Sequence, residues 1–309
     1  MKILLIGPTA IGKTETSLLL AEKLDTSIIS VDSRQCYKYL DIGTAKPSQL
    51  ELDRVPHYNI SVLAPDEKDS VADFNQRAQL WEQNILNKSE HVIYTGGSTL
   101  HLQSLIAPLD DLPPANAEHI EQLQRQADEE GLDSLYTRLQ KVDPHYATQM
   151  DGPNRQRIIR ALDVWMQTGK PFSSFHQQEG FSAPEDTLVV GIHRSRSVLH
   201  ERINSRVDIM IQQGLEQELD RILSMGYSTE LQALQTVGYR ELISHRTGDI
   251  RTLHDAIEKI KTNTRRYAKR QITWFKRWPF VHWINADEKN AEELAEIMLR
   301  DLAAMQKKG

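Results

Sequence analysis

Short apolar runs alternate with helical patterns in the first third of the chain. Three runs have the length of buried strands, at 3–6, 27–31 and 91–95. Apolar residues at helical spacing follow at 14–24 and 70–87, and Ser70 with Asp73 has the spacing of a capping box at the start of the second helix. This alternation predicts an α/β fold, with a parallel sheet flanked by helices.

The pattern changes between 110 and 186, where helical spacing continues without a strand-like run. Helices are predicted at 116–130, 133–142 and 154–168, ended by Gly131, Pro144 and Gly169. Strand-like runs return at 188–192 and 281–284. We therefore predict a core domain of residues 1–109 and 187–309, and an inserted all-helical domain of residues 110–186.

The first predicted strand leads into a phosphate-binding loop. Residues 7–14 read GPTAIGKT and fit the pattern G-x-x-x-x-G-K-[ST]. The two glycines let backbone N–H groups turn inward, and the following helix adds its partial positive charge. Lys13 adds a full charge, and Thr14 offers a hydroxyl to Mg²⁺. We expect a di- or triphosphate to be bound by Gly7, Pro8, Thr9, Ala10, Ile11, Gly12, Lys13 and Thr14.

Two further strands end in segments that could serve a ligand. Asp32 directly follows the second strand, and ligands of open α/β sheets bind beyond the carboxyl ends of the strands. Asp32 should therefore lie near the phosphate-binding loop. Gly96 and Gly97 end the third strand, where they either admit a ligand close to the backbone or form an ordinary turn.

Composition narrows the class of protein. The 309 residues are 39% hydrophobic and 26% charged, and no apolar run approaches the 18 or so residues of a membrane span. No secretory leader pattern is evident at the start. The single cysteine, Cys36, excludes an intrachain disulfide and a multi-cysteine zinc site. These features predict a globular protein without a membrane partner, in a reducing compartment such as the cytoplasm.

One segment runs against the net charge of −6, which by itself disfavours a nucleic-acid partner. Residues 259–277 contain no acidic residue and eight basic ones: Lys259, Lys261, Arg265, Arg266, Lys269, Arg270, Lys276 and Arg277. Tyr267, Trp274 and Phe275 are interleaved with them. Charge mixed with aromatic rings is typical of nucleic-acid surfaces, whereas an ordinary solvated helix is the alternative.

Several motifs together resemble the tRNA dimethylallyltransferase family, over nearly the whole chain. They are GPTAIGKT (7–14), DSRQCY (32–37), DIGTAKP (41–47), VPH (55–57), SVADF (70–74), NRQRIIRALDV (154–164), RINSRVDIM (202–210), VGYRE (237–241) and TRRYAKRQITWFKR (264–277). The phosphate-binding loop is common to many families, but the combination of DIGTAKP with RRYAKRQITWF is highly specific. No eukaryote-type zinc finger follows, so the chain is similar to the bacterial members.

The resemblance implies a core like that of P-loop nucleoside-triphosphate hydrolases. It implies transfer of a dimethylallyl group from dimethylallyl diphosphate to N6 of adenine 37, in tRNAs that read codons beginning with U, with Mg²⁺ as cofactor. It also implies a monomer. Asp32 resembles the family's general base, and Thr9 and Arg206 resemble the pair that contacts the bridging oxygen and the leaving diphosphate.

The resemblance further implies a tRNA-binding surface. Its helical insertion matches the domain that grips the anticodon stem-loop in the family. Together with the basic segment, the expected tRNA contacts are Asp32, Ser33, Arg34, Gln35, Ser98, Gln156, Arg157, Ile158, Ile159, Arg160, Gln235, Thr236, Val237, Gly238, Tyr239, Arg240, Arg265, Arg266 and Arg270. Where the family has GGTGLY, Ser98 keeps a hydroxyl, while Thr99 and His101 replace a glycine and a tyrosine and change the wall of the pocket.

Two other functions fit part of the pattern. A nucleoside or nucleotide kinase shares the loop and the sheet, but it has no need of a basic helix interleaved with aromatic rings. A tRNA-binding protein without catalysis would need neither Thr9, Asp32 nor Arg206, and all three are present.

Overall fold

Strands alternate with helices in the first third of the chain, and two runs of consecutive helices follow, separated by a single strand. The computed structural model describes residues 1–107, 110–150, 152–175 and 182–307. Its elements are β1 (Lys2–Ile6), α1 (Lys13–Leu24), β2 (Ile28–Val31), α2 (Gln49–Arg54), β3 (His57–Tyr58), α3 (Val71–Leu86), β4 (Val92–Gly96), α4 (Thr99–Ser104), α5 (Ala117–Glu129), α6 (Leu132–Val142), α7 (Pro144–Thr148), α8 (Arg155–Thr168), the 3₁₀ helix η1 (Phe172–Phe175), β5 (Thr187–His193), α9 (Arg196–Gln212), α10 (Leu215–Ser224), α11 (Tyr239–Arg246), α12 (Leu253–Phe275), β6 (His282–Asn285) and α13 (Ala291–Gln306). Contacts divide the chain into two units, Met1–Ala107 with Ser182–Gly309, and Pro108–Phe181.

A six-stranded parallel sheet is the frame of the first unit, in the order β3-β2-β4-β1-β5-β6. The central strand β1 pairs with β4 and β5, so that Ile6 lies between Gly96 and Gly191. Strands buried on both faces are continuous apolar runs, as β1 and β2 are. Because all six strands are parallel, the turns after Ile6, Val31 and Gly96 meet at one edge of the sheet. The predicted α/β fold with a parallel sheet is confirmed.

Helices cover the sheet and build two apolar cores in the first unit. The larger core joins α1 and α13 to the sheet through residues such as Leu18, Leu20 and Met298. The second core lies among α9 to α12 and includes Leu219, Tyr239 and Ile260. The α3 helix begins as the sequence predicts, since Ser70 and Asp73 form a capping box.

Every element in the described part of the second unit is a helix, as its sequence pattern predicts. Its core is formed by residues of α5 to α8, including Leu135, Ile158 and Leu162. Asn116 and Asn154 cap α5 and α8 by accepting hydrogen bonds from backbone N–H groups of the first turn.

Some elements are not predicted by the hydrophobic pattern. Strand β3 has only two residues, and α7 is a five-residue helix. Pro144 ends the pattern of α6 as predicted, but it also starts α7 at a position where its missing N–H costs nothing. The Asp143 side chain caps this helix by accepting from Tyr146 N at 2.9 Å.

Candidate active site

The phosphate-binding loop has free backbone donors. Gly7 and Gly12 take φ of 149° and 113°, which are strained for other residues, and a Cβ at Gly7 would lie 2.9 Å from Ile192 O. In the described part of the chain, the N–H groups of residues 10–12 donate to no acceptor. The α1 helix begins directly after them, at Lys13. Free amides at a helix N-terminus form a ready anion site.

Lys13 is folded back onto the loop. Its ammonium group donates to Gly7 O at 2.9 Å and to Pro8 O at 2.8 Å. Burial, followed by the neighbouring Arg206 charge, lowers the pKa of Lys13 to about 7, and Asp32 acts in the opposite direction. A bound anion would therefore favour the charged form of this lysine.

Three arginines surround the same loop. Arg194 Nε donates to Ile11 O at 3.1 Å, and Arg202 Nε donates to Ala10 O at 2.8 Å. Arg206 Nη1 donates to Thr9 Oγ1 at 3.2 Å. None of the three forms an ion pair with another described residue. Burial is the main cause that lowers the pKa of Arg206; the Asp32 charge raises this pKa, and the Arg202 charge lowers it. Clustered cations without acidic partners attract an anion.

Asp32 faces the loop from the end of β2. Its Oδ1 accepts from Arg34 N at 2.9 Å and Gln35 N at 3.3 Å, which fixes the carboxylate in a turn. Its Oδ2 accepts no hydrogen bond within the part of the chain described. Asp32 and the loop line one cavity of about 1270 Å³. Small-molecule sites usually occupy about 300–1,000 Å³, so this cavity has room for a second reactant.

The two glycines at the end of β4 are required by close packing inside the protein. A Cβ at Gly96 would lie 2.0 Å from Val31 O, and one at Gly97 would lie 2.2 Å from Gln271 Nε2. Ser98 follows them, and its Oγ accepts from Ser33 N at 2.9 Å. Close packing within the protein, which neither sequence interpretation included, therefore accounts for both glycines, and their backbones also line the cavity.

The loop at 41–47 forms another part of the cavity wall. Buried Glu218 holds it by accepting from the N–H groups of Asp41, Ile42 and Gly43 at 2.8–3.0 Å. Tyr239 Oη also donates to Glu218, at 2.5 Å. A buried carboxylate needs several such donors to offset its lost hydration. Sequence reasoning missed Glu218, although a charged residue among the apolar positions of α10 is a usable signal.

Some of the hydrogen-bonding groups of the residues after Asp32 are already used within the protein. Gln35 accepts from Ser30 Oγ at 2.9 Å, and its Nε2 donates to Thr44 O and Ala45 O. The side-chain amide of Gln35 thus braces the loop at 41–47. Among the described residues, the Arg34 guanidinium donates only to the neighbouring Ser33 O, so it keeps further donors for a ligand.

The expected tRNA contacts of α8 and of the turn before α11 divide into exposed and buried groups. The exposed residues are Gln156, Arg157, Gln235 and Arg240, and Thr236 and Val237 are half-buried. Ile158 and Ile159 pack in the core of the second unit, and Tyr239 packs in the second core of the first unit. With at most 4% exposure, their side chains offer no atom to RNA. Gly238 is also buried. Arg160 is held by Asp163 Oδ2 at 2.6 Å.

The basic segment lies on the long helix α12. Arg266, Tyr267, Lys269 and Arg270 are exposed, and Arg270 lies 5.9 Å from the centre of the Tyr267 ring. Arg265 instead donates to Asn204 Oδ1 and Thr262 Oγ1. Phe275, one of the three rings interleaved with the basic residues, is fully buried against Trp278 and is not available to a nucleic acid.

A magnesium ion fits the loop through few protein ligands. Among the described residues, no cluster of three or more His, Cys, Asp or Glu side chains could hold a metal. Magnesium beside a diphosphate usually needs only one or two protein ligands, with phosphate oxygens and water completing the shell. The Thr14 hydroxyl lines the cavity and has no hydrogen-bond partner in the described chain, so it is free for this role.

Sequence comparisons connect this chain to known proteins. The family model described as IPP transferase matches residues 35–278. A tRNA dimethylallyltransferase of Alkaliphilus oremlandii is 40% identical over 301 residues, which make up 97% of this chain and 96% of the relative. The enzyme of the same name from Clostridioides difficile is 42% identical over 300 residues, or 96% of each chain.

Solved structures give the same result. A tRNA isopentenylpyrophosphate transferase from Bacillus halodurans superposes with a TM-score of 0.72 at 33% identity, covering 99% of this chain and 97% of its own. A eukaryotic dimethylallyltransferase described as acting on tRNA gives a TM-score of 0.81 at 27% identity, and the match covers 98% of this chain and 79% of that protein.

No described helix is both long and apolar enough to cross a membrane.

Proposed function

We infer the function from the premise that this chain belongs to the IPP transferase family. The chain is a tRNA-modifying prenyltransferase of the tRNA dimethylallyltransferase type. The observation that carries the proposal for its mechanism is one cavity that holds both an anion-binding loop and the free oxygen of the Asp32 carboxylate. None of the relatives named above is a nucleotide kinase, which is the main alternative.

We propose that the reaction transfers the dimethylallyl group of dimethylallyl diphosphate to N6 of adenine 37 in tRNAs that read codons beginning with U. The bond between the allylic carbon and the diphosphate oxygen breaks, and a bond from N6 to that carbon forms. The N6 proton passes to Asp32, and diphosphate leaves with the electron pair of the broken bond. An exocyclic adenine amine is a weak nucleophile, so a well-placed carboxylate is worth about 10²–10⁴ in rate.

The donor diphosphate would bind in the phosphate-binding loop. The free N–H groups of residues 10–12 and the Lys13 ammonium would contact its oxygens. Arg206, held opposite the Thr9 hydroxyl, would stabilise the charge that develops on the bridging oxygen. Mg²⁺, when bound at Thr14, would neutralise part of the same charge.

The acceptor adenine would enter the cavity from a single-stranded loop. A base cannot react while it is stacked, so the adenine must leave its stack to reach Asp32. Tyr267 lines the cavity with part of its ring exposed, while loss of hydration at its hydroxyl, then the charge of Asp32, raises the pKa of that hydroxyl. We propose that this ring, which lies on α12 three residues before Arg270, contacts the extruded nucleotide.

Donor binding should take up a proton at pH 8. The free Lys13 has a pKa of about 7 and is mostly neutral there, while the bound diphosphate favours the ammonium form. Affinity for the donor should therefore fall as pH rises from about 7 towards the raised pKa of the complex. Calorimetry of dimethylallyl thiolodiphosphate, an unreactive analogue, in two buffers of different ionisation enthalpy measures the uptake. Lys13→Met should remove it, and an unchanged uptake in that variant would exclude Lys13 as the group.

The exposed basic face of α12 should bind the tRNA backbone. We define this RNA face as Arg266, Lys269 and Arg270, which form no ion pair with any described residue. Replacing all three with alanine should weaken tRNA binding and reduce its salt slope by about 0.7–0.9 for each phosphate that is no longer neutralised. Filter binding at several salt concentrations measures the slope. Arg300→Ala, on the exposed side of α13, is the control, and a slope equal to that of the control would rule out the RNA face.

We also propose that helix α8 and its neighbours grip the anticodon stem-loop through Gln156 and Arg157, and that the enzyme acts as a cytoplasmic monomer.

One assay separates the candidate functions: unmodified tRNA is incubated with radiolabelled dimethylallyl diphosphate or with ATP labelled in the terminal phosphate. Prenyl label in tRNA supports the transferase, and phosphate label in a nucleoside supports a kinase. Retained tRNA binding without transfer would indicate a binding protein without catalysis.

A further inference from the structure

Gln271 is a buried polar residue on the apolar face of α12. Its exposed fraction is 3%, and it lies in line with the buried residues Ala268 and Phe275 of the same helix. Buried amides are kept only where their hydrogen bonds are satisfied. A leucine or methionine would pack here at lower cost in desolvation, so the amide calls for a specific explanation.

The amide of Gln271 bridges the two sides of the cavity. Its Oε1 accepts from Thr9 N at 3.0 Å, within the phosphate-binding loop. Its Nε2 donates to Gly97 O at 2.8 Å, at the end of β4. Only a group with one acceptor and one donor side by side can make both bonds. Gly97 also has to lack a side chain, because a Cβ there would lie 2.2 Å from Nε2.

Each end of this bridge leads directly to a group in the proposed chemistry. At the end of the bridge near the prenyl donor, Thr9 carries the hydroxyl that accepts a hydrogen bond from Arg206. At the end near the acceptor adenine, Gly97 precedes Ser98, whose Oγ accepts from the N–H of Ser33, the residue after Asp32. The bridge therefore connects the backbone that carries Thr9 to the backbone that braces Asp32.

We propose that Gln271 is a positioning residue of this transferase, whose amide fixes the distance between the diphosphate-binding loop and the Asp32 turn. This inference rests on the proposed function. Misplacement of reacting groups by about 1 Å can cost about 10²-fold in rate. Loss of the bridge should thus lower kcat much more than it changes donor binding, because the loop amides, Lys13 and Arg206 remain.

Two substitutions test the bridge. Gln271→Met keeps the volume but makes neither hydrogen bond. Gln271→Glu makes both bonds only when its carboxyl is protonated, since the acid then has one donor and one acceptor like the amide. Burial, and the facing carbonyl of Gly97, should raise the pKa of the new carboxyl well above its usual value. The glutamate variant should therefore regain activity as pH falls.

The experiment measures kcat and donor KM for tRNA prenylation between pH 5.5 and 8.5, each as a ratio to wild type at the same pH. We expect Gln271→Met to lose about 10²-fold in kcat, with donor KM within about threefold. The Gln271→Glu ratio should rise several-fold towards low pH, which a loss of packing would not produce. Gln306→Met, at an exposed position of α13, is the matched control.

Failure of the inference and failure of the function are distinguishable. A wild-type enzyme that transfers no prenyl label would overturn the function. An active wild type with a Gln271→Met kcat within twofold of normal, a loss confined to KM, or a Gln271→Glu ratio independent of pH would each overturn the positioning role. Gln271→Glu keeps the test open should the methionine variant fail to fold.

Discussion

Replacing Asp32 with asparagine should lower kcat by about 10²–10⁴-fold, the usual contribution of a general base. Asparagine keeps an oxygen that can accept from the N–H groups of Arg34 and Gln35, so the turn after β2 should persist. What is lost is the negative charge and the free oxygen that takes the N6 proton. Single-turnover transfer of labelled dimethylallyl to unmodified tRNA measures this effect.

The control for Asp32 is tRNA affinity, which should stay within about threefold of wild type because phosphate contacts dominate RNA affinity. Asp32→Ala, which also removes the acceptor of the turn, should be at least as inactive as Asp32→Asn. Near-normal turnover in the asparagine variant would remove Asp32 as the base. A parallel loss of tRNA binding and turnover would assign it to RNA contact instead.

Replacing Arg206 with methionine should lower kcat by about 10²–10³-fold, as for other donors that stabilise a developing negative charge. The side chain of Arg206 is half-buried in the cavity wall beside Thr9, without an acidic partner in the described chain. Its interaction should strengthen as the carbon–oxygen bond breaks, so kcat should fall more than donor affinity. Steady-state kinetics with varied donor separate the two quantities.

Arg196→Met is the matched control for Arg206, because it removes the same charge from an exposed position of the same helix, α9. Its turnover should stay near that of wild type. Arg206→Lys keeps the charge but not the geometry of the guanidinium fork, and should recover only part of the activity. Equal losses in the 196 and 206 variants would mean that net charge, and not the position of Arg206, matters.

The local parts of the site were predictable because they depend on neighbours in sequence. Spacing within residues 7–14 dictates the loop, and the parallel sheet places Asp32 at the same edge. The capping box of α3 is likewise a matter of four residues. In each case the physical cause, a turn, a helix start or a strand end, lies within one short segment.

The parts that escaped prediction depend on contacts between distant segments. Gln271 and Thr9 are 262 residues apart, and neither segment contains a pattern that indicates a contact with the other. The usable signal is a neutral polar residue on the buried face of an amphipathic helix. Arg202 and Arg206 are four residues apart on α9 and so share one side of the helix, but only the fold shows that both donate into the phosphate-binding loop.

Resemblance to a family marked some residues whose role here is packing. Ile158, Ile159 and Tyr239 lie in motifs that the resemblance predicts to contact RNA, yet their side chains are buried in cores. A motif does not separate the residues that support a surface from those that form it. Elements as short as β3 escape prediction for another reason, because two residues are held only by pairing with β2 and have no periodicity of their own.

The central claim is that one cavity aligns a diphosphate in the loop with an adenine facing Asp32. A crystal structure with dimethylallyl thiolodiphosphate and an anticodon stem-loop tests it most directly. The account predicts diphosphate oxygens at the N–H groups of residues 10–12, and adenine N6 at about 2.6–3.2 Å from the free oxygen of Asp32. A diphosphate bound elsewhere, or an N6 beyond reach of that oxygen and beside a different base, would contradict it.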